Sequence, residues 1–183
     1  MIKLKDILLE IGEGVTPYEF RGGLSKTYKN GDKEYVYKFE TPSLSYDVDI
    51  LVQPLIEDDN ANDWDRFVDP GTIPSELMKY IKSPESAKIA DVSFSTEGGG
   101  SSFEVNDYQE LFRVMSTIVA TLKDLIEKET DIKIIKYTAI KASKEEDKVP
   151  VTKRDKLYQA YIKKQIPNAK VVMEFGATYI VLP

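Results

Sequence analysis

Neither cysteine nor histidine occurs in this chain of 183 residues. Without cysteine there is no disulfide and no thiolate metal site. Without histidine there is no Ser-His-Asp or Cys-His catalysis, no His-ligated zinc, and no base that ordinarily titrates near neutral pH. Any chemistry must rest on Asp, Glu, Lys, Tyr, Ser, Thr or backbone amides. Basic charge is also short: 25 Lys and Arg against 31 Asp and Glu leave a net charge of −6. Nucleic-acid proteins usually carry a basic field, so duplex binding is disfavoured. Long apolar runs are missing. The opening "MIKLKDILLEIGEG" is amphipathic, but Asp6 and Glu10 interrupt it. It is too short for a signal peptide or a membrane span. The reading is a cytosolic or virion-borne protein.

What is present suits one domain with an appendage, at 42% hydrophobic and 31% charged residues. Ile2, Leu4, Ile7, Leu8 and Ile11 share the apolar face of a short helix that Gly12 and Gly14 end. A loose linker to residue 24 follows, so residues 1–24 form an N-terminal segment and 25–183 the domain. "TYKNGDKEYVYKFE" reads as a hairpin. Asn30-Gly31 turns it, and Tyr35, Tyr37 and Phe39 alternate with polar neighbours. "LSYDVDILVQPL" alternates likewise, with Asp47 and Asp49 on the polar face and Pro54 closing the strand.

An acidic loop follows, holding Trp64, the only tryptophan. Asp58, Asn60, Asn62 and Asp69 fall at positions 1, 3, 5 and 12 of a calcium loop, but Asp63 stands where glycine is needed. A solvated loop fits better than a metal site. "IPSELMKYIKSP" is a short helix between prolines, and "AKIADVSFST" and "SSFEV" are strands. The "EGGGSS" between them lacks the Lys-Ser/Thr of a phosphate-binding loop.

The strongest periodicity follows. Asn106 is a good N-cap with Gln109 three residues on. Tyr108, Leu111, Phe112, Met115, Ile118, Val119, Leu122, Leu125 and Ile126 then recur at spacings of three and four, the stripe of a long core-facing helix. "IKIIKYTAIKAS" is a mostly apolar, central strand. Thr152 and Asp155 cap a second helix, "KRDKLYQAYIKKQI", which Pro167 stops. "AKVVMEF" and "ATYIVLP" form a final hairpin. The fold class is α/β (α+β): a mixed, mostly antiparallel sheet with one long and one shorter helix.

This order, above all the run β-α-β-α-β-β, resembles the GNAT fold of N-acetyltransferases. "RDKLYQAYIKKQIPNAKVVMEF" looks like the segment in which a helix carrying Leu-Tyr precedes the last hairpin. The resemblance implies an acetyl-CoA cofactor, Tyr158 as the acid that protonates the departing thiolate, and Asn106, Asp107, Tyr108 and Gln109 beside the pyrophosphate. "FRVMSTIVATLKDLI" and "RDKLYQAYIKK" are also similar to uncharacterised proteins of tailed phages. One departure stands out. Such enzymes carry a glycine-rich loop where strand meets long helix, so that backbone amides reach the phosphates. This chain has "EVNDYQEL" there and no glycine from Ser101 to Phe175. Glu104 and Asp107 favour the helix start but repel a pyrophosphate. The expectation is therefore a binding protein without a cofactor, meeting a viral or host protein in the virion or host cytoplasm. Ile7, Leu8 and Trp64 are its expected contacts. The alternative is a CoA-dependent N-acyltransferase.

Overall fold

The computed structural model of the chain describes residues 15–55, 73–96, 108–138, 153–174 and 177–183, and the backbone alone of 108–109 and 153–158. In chain order the elements are β1 (Phe20–Thr27), β2 (Lys33–Glu40), β3 (Ser45–Pro54), α1 (Ser75–Met78), β4 (Lys88–Thr96), α2 (Tyr108–Lys128), β5 (Ile132–Tyr137), α3 (Lys153–Gln165), β6 (Lys170–Glu174) and β7 (Ala177–Val181). The strands form one seven-stranded sheet in the order β1-β2-β3-β4-β5-β7-β6. Every neighbouring pair is antiparallel except β4 and β5. The fold is α+β, as the alternation of strand and helix patterns predicts.

The period of two along β2 and β3 sorts side chains onto the two sheet faces. Tyr35, Tyr37 and Phe39 stand opposite Ile50, Val48 and Tyr46. They join Val92, Ile135 and Ile180 in the larger core, which α2 covers with Val114, Met115, Val119, Leu122 and Leu125. Phe39 and Tyr46 stack at 5.0 Å between ring centroids. A smaller core on the other face gathers Leu55, Leu77, Ile89, Ile134 and Tyr179. The short helix α1 delivers Leu77 to it, fully buried.

Two features of α2 differ from a simple apolar stripe. Thr117 and Thr121 are fully buried. Each donates its hydroxyl hydrogen bond to a carbonyl of its own helix, Thr117 to Arg113 at 2.8 Å and Thr121 to Ile118 at 2.7 Å. A buried hydroxyl so satisfied costs little, and threonine then behaves as a small β-branched filler. Thr117 Oγ1 also accepts the Tyr18 amide at 2.8 Å. Val15 and Thr16 offer carbonyls to Ser116 Oγ and Arg113 Nε at 3.1 and 3.0 Å. The segment before β1 is thus laid along α2.

β1 opens at Phe20. Residues 20–24, read above as linker, are therefore sheet, and the physical reason is glycine. Gly22 and Gly23 look like breakers in sequence, yet here they let the backbone take φ of +128° and +149° inside a strand. A Cβ on Gly22 would stand 2.0 Å from the Val36 carbonyl oxygen. Only a bare backbone can pass β2 so closely. The ladder then shifts register between Leu24 and Lys26, a bulge.

At the far end of α2 a carboxylate goes inside. Glu129 follows the helix directly and is 5% exposed. Tyr35 donates to it at 2.7 Å, Lys88 at 2.9 Å, and Lys33 closes the group. Burial pushes this carboxyl up, but hydrogen bonds from Lys33, Tyr35 and Lys88 outweigh burial and hold it down at about 2. Burial, then the hydrogen bond to Glu129, raises the Tyr35 phenol. Nearby, Tyr37 donates to Asp124 at 2.7 Å.

Two outcomes follow. Gly22→Ala should cost about 1–3 kcal/mol in urea unfolding, with faster amide exchange confined to residues 20–27. A wild-type midpoint would mean that β1 yields easily at this crossing. Glu129→Gln should cost about 3 kcal/mol at neutral pH, since it leaves two ammonium groups without their anion. The folded Glu129 carboxyl titrates near 2, and the unfolded one at about 4.3. Between those values the unfolded chain binds the proton first. The stability that Glu129 adds is thus full above about 4.3 and lost as pH falls toward 2. The gap between wild type and Glu129→Gln should close over that window. A gap that does not change with pH would show that Glu129 is not held ionised.

Candidate functional site

Parallel neighbours cannot be joined by a tight turn, so β4 reaches β5 through the α2 crossover. In sheets of this kind, the carboxyl ends of parallel strands beside a change of direction are where a crevice can open. β4 and β5 pair from Lys88–Ile132 to Val92–Tyr137. β4 then continues to Thr96, still paired with β3 on its other side. β5 pairs on its other side with the antiparallel β7.

A slot lies there, under the helices. Val92 and Phe94 of β4 and Tyr137 of β5 form its floor, Met115 and Val119 of α2 part of its roof, and Tyr161 of α3 a wall. Its volume is about 50 Å³, and among the described residues its lining presents only apolar atoms. Tyr161 is 2% exposed. The slot has the right position for a ligand arm and the wrong chemistry for one rich in amides. Each amide buried without a partner costs about 1–3 kcal/mol.

The residues expected to act at this junction divide as follows. Tyr108 and Gln109 are the first two residues of α2, and Tyr158 lies in α3, one turn before Tyr161; their side chains are outside the described residues, as are Asn106 and Asp107. Ile7, Leu8, Trp64, the acidic loop and "EGGGSS" also lie outside them. Among the described residues, Tyr161 of α3 lines the slot with its side chain. Its burial fits a packing role. Among the described residues no group of three or more acidic side chains is placed to hold a metal ion. No described helix is long and apolar enough to cross a membrane.

The sheet face turned away from α2 is polar across β2, β3 and β4. Asp47 pairs with Lys38 at 3.0 Å, and Asp91 with Lys136 at 3.0 Å. Burial, then the charges of Asp47 and Glu34, pushes the Asp49 carboxyl up, against the opposing pull of Lys38. This is the polar face that the alternation in "SYDVDI" predicts. Asp47 and Asp91 are paired with lysines, and the charged face suits a solvated surface.

A wide concavity whose described lining bears no carboxylate runs along β1. It holds about 810 Å³ and is lined by Arg21, Gly22, Gly23, Leu24, Ser25, Tyr35, Val36, Lys38 and Lys128. Nothing in the sequence reading pointed to it, because the segment was taken as linker. Two cations flanking a Gly-Gly pair in "FRGGLSKT" are the signal that was there to find.

If the slot is unfilled space, Val92→Ile should raise stability by up to about 1 kcal/mol, because one more methylene leaves water without displacing a neighbour. Urea unfolding measures this, and a loss would show that the space is already taken. Compared with family models, with curated proteins and with solved structures, the chain finds no match.

Proposed function

We propose that the chain is a protein-binding module on an acetyltransferase-like scaffold, acting without catalysis in a phage-type setting, either in the virion or against a host protein in the cytoplasm. The slot carries this reading. It stands where such a scaffold would receive the arm of acetyl-CoA, yet its described lining leaves about 50 Å³ and exposes no polar atom. Amide groups drawn into it would lose water and gain no partner. The missing glycines before α2 argue the same way. The phage setting rests on the resemblance of "FRVMSTIVATLKDLI" and "RDKLYQAYIKK". The N-terminal segment around Ile7 and Leu8, and the loop around Trp64, are the proposed contacts.

One observation favours a second reading, a CoA-dependent N-acyltransferase. The run β4-α2-β5-α3-β6-β7, with β4 and β5 parallel and a slot at their carboxyl ends, is the arrangement that the acetyltransferase resemblance implies. Tyr158 would then be the acid, and Asn106 to Gln109 would meet the pyrophosphate.

Thermal unfolding with and without acetyl-CoA separates the two. At roughly 1 mM ligand, a site that binds a hundredfold tighter than that concentration would add about 2.7 kcal/mol. The expected result is an unchanged midpoint. A rise of several degrees would overturn the non-catalytic reading.

A further inference from the structure

Among the described residues β1 is one edge of the sheet, and an edge presents a row of backbone amides and carbonyls that another strand can take up. Natural edges are usually blunted by charge, bulges or cover. Here the bulge and the charge have a direction. Gly22 and Gly23 leave the middle of the strand bare. Leu24, on the same strand, is 55% exposed. Arg21 and Lys26 are exposed on either side of that middle, and neither forms an ion pair among the described residues. Lys26 lies over the Tyr28 ring at 4.0 Å instead. β1 itself carries no carboxylate, in a chain of net charge −6. Lys38 and Lys128, which line the same groove, are already paired with Asp47 and Asp124.

The register converts this into a ligand pattern. Arg21 stands opposite Lys38, Leu24 opposite Tyr35 and Lys26 opposite Glu34. The bulge therefore brings the two cations level with residues four apart on a straight neighbouring strand. Side chains four apart on a strand share a face, and those an odd number apart take the other. A second copy of this chain paired about the centre of β1 does not fit. Antiparallel self-pairing centred between Gly23 and Leu24 would set Arg21 against Lys26, and like charges opposite one another destabilise a ladder.

We propose that the β1 edge binds an extended acidic peptide segment by strand addition, with carboxylates four residues apart facing Arg21 and Lys26 and an apolar side chain between them on the Leu24 side. This rests on the protein-binding reading and names the chemistry of one partner. Main-chain hydrogen bonds supply the attachment, and the two cations supply the choice of sequence.

The test uses the full chain and a fluorescein-labelled decapeptide with glutamates four residues apart and valines at alternate positions; a control carries lysines for glutamates. The glutamate peptide should bind saturably, more tightly at low salt, and its binding should add amide protection at residues 20–27. The double variant Arg21→Glu with Lys26→Glu should lose roughly tenfold or more in affinity for it and gain binding of the lysine peptide. A thermal melt of the variant confirms that the sheet is intact, and the gain of lysine-peptide binding itself cannot come from unfolding. No saturable binding up to about 1 mM, equal binding of both peptides, protection away from β1, or a β1 already protected in the free chain or in a dimer would each overturn the proposal. Stabilisation by acetyl-CoA with peptide binding intact would overturn the non-catalytic reading alone. Loss of a partner on deleting residues 1–12, with no peptide binding, would leave that reading standing and remove this one.

Discussion

Glu129 is a buried anion at the carboxyl end of a 21-residue helix, the end at which the backbone dipoles already concentrate negative charge. Such a group is tolerated only if cations are brought to it. Lys33 opens β2 and Lys88 opens β4, so satisfying one carboxylate aligns the starts of two strands with the end of α2. The Tyr35 hydroxyl adds a bond from the core side of β2. The backbone follows the same plan. The Glu129 carbonyl accepts the Ile132 amide, and the Asp131 carbonyl accepts the Lys88 amide, so the turn into β5 is bonded on both sides. The parallel β4–β5 pairing begins at this point, with Lys88 opposite Ile132.

From that anchored end the parallel pair runs to Val92 and Tyr137, its last pair among the described residues, where the apolar slot lies beneath α2 and α3. The two ends thus differ in character. One is locked by charge, the other lined by carbon among the described residues. The bonds that fix the layers therefore sit away from the slot.

The parts of the architecture written in local periodicity were legible. The alternation of Tyr35, Tyr37 and Phe39, and of Tyr46, Val48 and Ile50, gave strand faces that the register bears out. The stripe from Leu111 to Ile126 gave α2. Thr117 and Thr121 escaped it, because a polar residue in a buried position is betrayed only by the carbonyl it bonds. β1 escaped because glycine reads as a break, and its use at Gly22 depends on how near Val36 lies. The Glu129 group was out of reach for another reason: its lysines stand 96 and 41 residues away, and no local pattern joins them. Of the proposed site, the place was legible from element order. The space and polarity of the slot depend on packing between five elements and were not.

The strap of residues 15–18 has a mechanical consequence. Its carbonyls and amide are bonded to Arg113, Ser116 and Thr117 of α2, and the Arg113 guanidinium lies 3.9 Å from the Tyr18 ring centre. A pull on the chain ahead of residue 15 is therefore borne first by the helix layer, and reaches the β1 ladder only after those contacts part. An edge strand loaded directly from its end would unzip one bond pair at a time. Here the strap shields it, so tension arriving from the N-terminal side leaves the β1 edge seated and presentable.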